Sequence, residues 1–182
     1  MRKHFLRGLV ALPLAACILV GPAYAAGPTP QRQIFARDVC DPVTFNQAIG
    51  AGTCTRPGGG LPFQQFISQL TRLESVPAWR FTPDTVVLSP GQPFVTTNAG
   101  GEAHTFTEVA QFGGGFVPQL NQLSGNLSPA LLDNGQPACT PSNPELNFIA
   151  PGQSTAADSE DSGVHMYQCC IHPWMRAVLR VR

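Results

Sequence analysis

Cys169, His172 and Met175 follow one another at three-residue steps in the run Tyr167-Gln168-Cys169-Cys170-Ile171-His172-Pro173-Trp174-Met175. A thiolate, an imidazole and a thioether on one short loop are soft to borderline donors. Such a set selects copper over calcium or magnesium. A one-ion site cycling between Cu(I) and Cu(II) needs two histidines and a cysteine in a trigonal arrangement, with methionine as a weak axial ligand. The loop lacks one histidine, and His104 can supply it. The other candidate, His165, shares a strand face with Tyr167 and Cys169. Four residues of strand cover roughly 13 Å, however, which sets His165 at the wrong depth. It reads as a partly exposed strand histidine.

The chain's first residues carry a different signal. Arg2, Lys3 and Arg7 precede an apolar run from Gly8 to Val20, and Ala23-Tyr24-Ala25 offers a cleavage site. That is the layout of a signal peptide over residues 1–25, and the run is short for a membrane span. A lipid-anchored alternative exists, because Leu14-Ala15-Ala16-Cys17 fits a lipobox; the greasy Ile18-Leu19-Val20 after Cys17 argues against it. Removing 25 of the 182 residues leaves 157, enough for one domain with a core. Three of the eleven basic residues go with the leader and no acidic one does. Eight arginines then face eleven carboxylates, a net of −3 without any lysine. Such a surface has no footprint for nucleic acid or an anionic membrane. The expected product is an exported protein, periplasmic or secreted, and not an integral membrane protein.

Export sharpens the cysteine count. Cys40, Cys54, Cys139, Cys169 and Cys170 are an odd number, and thiols in an oxidising compartment tend to pair. Two disulfides and one metal thiolate account for all five. Cys40 and Cys54 lie fourteen positions apart, and a bridge there would stabilise by about 3 kcal/mol. Alternation along a strand points Cys169 inward with Tyr167 and Cys170 to the opposite face. Cys170 is then free to pair with Cys139. A vicinal Cys169–Cys170 bridge is the alternative, and it would destroy the thiolate.

The elements that must position these residues can be read from periodicity. Residues 26–76 form an N-terminal extension with short helices. Within it Phe63, Phe66, Ile67, Leu70 and Leu73 recur at helical spacing, opened by Pro62. From residue 77 to 182 the texture is β. Strands are expected around Trp79–Phe81, Thr85–Leu88, Pro93–Thr97, His104–Val109, Leu146–Ile149, His165–Cys169 and Ala177–Val181, divided by Gly/Pro turns. Short strands at this spacing indicate an antiparallel sandwich. Residues 111–145 are rich in Gly, Pro, Asn, Gln and Ser and read as a long insertion, with room for a helical turn over Leu127–Leu132. A loop this long needs a tie or a function, and Cys139 offers the tie.

The Asn98…His104 and Cys169…His172…Met175 segments resemble those of the cupredoxins, the blue (type 1) copper family of plastocyanin, azurin and amicyanin. The gap between His172 and Met175, with Pro173 after the histidine, is most similar to the compact ligand loop of amicyanin. The resemblance covers roughly Phe81 to Arg182, and Pro90-Gly91 and Pro151-Gly152 look like the family's turns before ligand strands. It implies an all-β Greek-key sandwich with copper at one end, held by His104, Cys169, His172 and Met175. It further implies that His172 lies nearest solvent, with Pro173 and Trp174 forming an apolar docking patch for transient redox partner proteins. The extension and the sixty-four residues between His104 and Cys169 depart from the compact members of the family.

Electron transfer by a monomer is therefore the expected function. A copper carrier or scavenger without a redox role is the alternative, since the same ligands hold cuprous copper. An enzyme such as a multicopper oxidase or reductase is disfavoured, because there are no H-x-H pairs and too few histidines for a second copper centre. Serine-triad, phosphate-loop and zinc-protease patterns are also missing from the sequence.

Overall fold

The computed structural model describes residues 30–182. The leader, its cleavage site and Cys17 lie outside the described residues. The first element is strand β1 (Arg32–Arg37), followed by helices α1 (Pro42–Ala48) and α2 (Phe63–Leu73). Asp41 caps α1 by accepting the Thr44 amide at 2.9 Å, and Pro42 fits the first turn, where no amide partner is needed. Pro62 immediately precedes α2, and Glu74 ends it in a left-handed conformation. Of the apolar positions at helical spacing in α2, Phe66 and Leu70 are buried, Phe63 and Ile67 are half-buried, and Leu73 at its end is exposed.

Strands β2 (Arg80–Thr82), β3 (Thr85–Leu88), β4 (Phe94–Asn98), β5 (His104–Thr105) and β6 (Thr107–Val109) follow. Helix α3 (Pro118–Leu123) precedes β7 (Phe148–Ile149), β8 (Gly163–Gln168) and β9 (Arg176–Val181). One sheet has the order β2-β1-β4 and another the order β3-β9-β8-β6, with a small β5-β7 pair at one end. The fold is an all-β sandwich whose helices lie in the extension and the insertion. Its sheets are mixed, which corrects the antiparallel expectation: β1 runs parallel to β4, and β3 parallel to β9. The chain between each pair is long enough for the crossover that parallel strands require. The run His104–Val109 is not one strand. It breaks at Phe106, so that β5 pairs with β7 and β6 with β8.

Aromatic side chains fill the space between the sheets. Phe81 and Phe94 from one side meet Phe106 at centroid distances of 5.0 and 6.3 Å, and Tyr167 stacks on Phe106 at 4.2 Å. A second cluster joins the extension to this core, with Phe45 and Phe66 packed on Trp79 at 5.8 and 4.8 Å. Trp79 is 1% exposed, so its burial fastens α1 and α2 to the sandwich.

The insertion is tied down along its length. Isolated bridges join Gln111 to Leu131, Gly114 to Pro129 and Leu131 to Pro137, while Val109, Ala130 and Ala138 make a small core beneath. The helical turn expected over Leu127–Leu132 is absent, and α3 stands earlier. The Leu131 backbone is committed to Gln111, whereas Pro118 suits a first helical turn. Gly115 must be a glycine, since a Cβ there would lie 1.9 Å from the Cys170 carbonyl oxygen.

Candidate metal centre

β5 and the turn between β8 and β9 meet at one end of the sandwich. His104 opens β5 opposite Ile149, and Cys169 directly follows β8. The Met175 amide donates to the His172 carbonyl at 2.9 Å, and the Cys169 amide to the Met175 carbonyl at 3.0 Å. These two bonds close the loop on itself and fix its shape. Asn98, at the end of β4, donates to the Glu102 and Ile149 carbonyls at 2.7 and 2.9 Å. It thereby holds the turn that leads into His104.

Within this frame, His104 Nδ1 lies 3.8 Å and His172 Nδ1 3.9 Å from Cys169 Sγ. All three side chains are buried, with donor atoms within 4.8 Å of one another. Met175 is 1% exposed in the same loop. A first-row ion with bonds of about 2.3 Å to sulfur and about 2.0 Å to nitrogen, in a trigonal plane, sets those atoms about 3.7 Å apart. The observed spacings fit that triangle, and the sulfur, imidazole and thioether set suits copper. His165 stands apart from this group, on Glu108 at 2.8 Å.

Cys169 is the one free cysteine among the described residues. Cys40 is bridged to Cys54, and Cys139 to Cys170, so no vicinal bridge consumes the thiol. The sulfur accepts the Thr105 and His172 amides, each at 3.4 Å. Burial opposes ionisation of Cys169, but the ring nitrogens of His104 and His172 outweigh it and hold the thiol well below its ordinary range. His172 moves the other way. Burial disfavours its charge, yet the Cys169 sulfur and the Glu102 carboxylate together push it up to about 10. Sulfur and imidazole thus each favour the charged form of the other.

Two carboxylates that the motif did not reveal stand behind the imidazoles. Asp38 Oδ2 lies 2.9 Å from His104 Nε2. The same carboxylate accepts the amides of Cys40, Gly101 and Glu102 at 2.9–3.1 Å. Burial raises its pKa, but His104 and these amides prevail and lower it to about 2. Gly100 allows this approach, because a Cβ there would fall 1.9 Å from Asp38 Oδ2. Glu102 Oε2 lies 3.5 Å from His172 Nε2 and accepts the Trp79 indole N–H at 2.6 Å. Each carboxylate fixes a ring with its Nδ1 turned toward the sulfur.

The apolar surroundings expected near His172 are present, but they face inward. His172 is 2% exposed, Pro173 is buried, and Trp174 is half-buried, with its ring 6.0 Å from Phe66 of α2. The extension covers the side that the family resemblance left open to solvent. An apolar cavity of about 310 Å³ remains between α1, α2 and α3, with Glu102 and His172 among its lining residues.

Among solved structures the chain is similar to a purple cupredoxin from Nitrosopumilus maritimus. The identity is 14% and the TM-score 0.42, over 83% of this chain and 99% of that one. It is also similar to a Cu(I) amicyanin variant, at 12% identity and a TM-score of 0.37 over 57% of this chain and 73% of that one. A reduced Cu(I) form of a second amicyanin variant at pH 4 gives 14% and 0.37, over 59% and 77%. No family model matches the chain, and no curated protein does. No helix among the described residues is long and apolar enough to cross a membrane.

Proposed function

We propose that this is an exported mononuclear blue-copper protein that carries single electrons. One ion would be held by His104, Cys169 and His172, with Met175 of the same loop as a weaker fourth donor. The carrying observation is the convergence of one free, buried thiol with two imidazole Nδ1 atoms at 3.8 and 3.9 Å. Copper, when bound, supplies the one-electron Cu(I)/Cu(II) couple.

The chain does the rest by holding its donors still. Asp38 and Glu102 orient the two rings, two amides point at the sulfur, and the closed loop fixes Met175 relative to Cys169. Ligands that do not move between oxidation states keep the reorganisation on electron exchange small. Burial of all three donors excludes water and favours retention of the ion, which supports electron transfer over metal hand-off. Of the two residues expected at a docking patch, Trp174 alone has an edge at the surface, and redox partners meet the chain transiently there.

The test is to load the purified chain with Cu(II), its disulfides intact. An intense visible thiolate-to-copper band should appear, bleach on reduction and return on oxidation. The Cys169→Ser variant should lose the band while keeping its far-UV circular dichroism. A colourless loaded wild type, or a coloured Cys169→Ser variant, refutes the ligand set. Ready transfer of the copper to a competing chelator with no reversible colour change would favour the carrier reading.

A further inference from the structure

At the other end of β8, three side chains form a cluster that the copper reading does not use. In the register of β6 on β8, Glu108 stands opposite Tyr167, one pleat from His165. Glu160 reaches the same point from the segment before β8. The donor atoms of Glu108, Glu160 and His165 lie within 4.8 Å of one another. His165 Nδ1 is 2.8 Å from Glu108 Oε1 and 3.4 Å from Glu160 Oε2.

The proton inventory of the imidazole is decisive. His165 Nε2 lies 3.0 Å from the Asp161 carbonyl oxygen. A carbonyl can only accept, so Nε2 carries the hydrogen. In the neutral ring, Nδ1 then aims its lone pair at two carboxylates. A proton on Nδ1 would relieve the clash but leave the three groups with a net charge of −1. A divalent ion there leaves them neutral. Neither carboxylate has an arginine partner among the ion pairs of the described residues.

The backbone carbonyl on Nε2 is the usual outer partner of a ligating histidine. The Tyr167 hydroxyl donates to Glu160 Oε1, which leaves Oε2 to face Nδ1. Gly163 gives the ring its room, since a Cβ there would lie 3.3 Å from His165 Nε2. A cleft of about 410 Å³ opens beside Glu108 and His165, and two further carboxylates, Asp133 and Glu145, line it. The cleft reaches the cluster on its Glu108 and His165 side.

We propose that Glu108, Glu160 and His165 form a second metal site, for a borderline divalent ion of the zinc type held by one imidazole nitrogen and two carboxylate oxygens. Three protein ligands with an open fourth position suit tetrahedral zinc. The site is independent of the copper centre, and Cys169→Ala provides a background in which zinc cannot use the thiolate. Calorimetric titration of that variant with Zn²⁺ should show one bound equivalent. Adding His165→Gln or Glu108→Gln should weaken binding at least tenfold. In the Cys169→Ala chain, the His165 ring resonances should also shift as one equivalent of Zn²⁺ is added. Absence of uptake in Cys169→Ala, undiminished uptake after His165→Gln, or an unperturbed His165 ring would overturn the proposal.

Discussion

The Asp38→Asn substitution keeps the shape of the side chain and removes its charge and one acceptor oxygen. In the native chain Oδ2 faces the Gly101 and Glu102 amides and His104 Nε2, while Oδ1 faces the amides of Cys40 and Gly101. The less damaging orientation of the new amide puts its NH₂ where Oδ1 was, against the Cys40 amide. That buried donor then has no acceptor, at a cost of about 1–2 kcal/mol. The lost charge is weighed separately. A carboxyl lowered from 3.8 to about 2 represents about 2 kcal/mol of stabilisation of the charged form in the folded state. The sum is about 3–4 kcal/mol, within the range for breaking a buried ion pair. Urea unfolding of the metal-free chain at neutral pH, disulfides intact, reads this as a lower midpoint at an unchanged slope. The exposed Asp84→Asn change serves as control and should cost less than about 0.5 kcal/mol. A loss below about 1 kcal/mol for Asp38→Asn would mean that the carboxylate does not fasten the extension to His104.

Acid should act through the same group. Its folded pKa is depressed, so its stabilisation is complete above the unfolded value of 3.8 and drains away as pH falls toward about 2. Wild type should therefore lose about 2 kcal/mol more than Asp38→Asn between pH 5 and pH 2, measured by unfolding at each pH; parallel pH profiles would contradict this. The Cys139–Cys170 bridge spans 31 positions. Replacing both cysteines by alanine should cost about 4 kcal/mol on chain-entropy grounds, while the visible copper band persists because Cys169 is untouched. Loss of that band in a variant that still folds would show that the insertion shapes the ligand loop.

The convergence of His104, Cys169 and His172 was legible because Cys169 and His172 sit on one loop at fixed spacing, and strand parity separated Cys169 from Cys170. Most strands were legible for a similar local reason: alternating Val, Phe and Thr between Gly/Pro turns. What escaped the sequence depends on pairing across distance. Arg32-Gln33-Ile34-Phe35-Ala36-Arg37 has no clean alternation, and its role as β1 comes from lying beside β4, about sixty residues further on. Asp38 follows as a consequence, since nothing in its neighbours predicts a contact with His104 sixty-six positions away. Glu102 is two residues from His104 and could have been suspected. Its partners Trp79 and His172, however, are fixed only when the extension packs. The helix in the insertion was misplaced because apolar Leu127–Leu132 outweighed the start signal at Pro118.

The extension packs behind the His104 and His172 rings. β1 lies between β2 and β4 in its sheet, and Asp38 emerges from its end directly beneath the Gly100–Glu102 turn. Two residues on, Cys40 begins the bridged loop that carries α1, and a Cβ on Gly101 would meet its sulfur at 2.7 Å. Phe66 of α2 then covers Trp174 and packs on Trp79, whose indole holds Glu102 against His172. One continuous run of packing thus leads from β1 to the outer nitrogens of both imidazoles. Two charged carboxylates can stay buried there because each is paired and hydrogen-bonded, and an unpaired one would be expelled or protonated. Packing of residues 32–76 and orientation of the His104 and His172 rings are for that reason coupled.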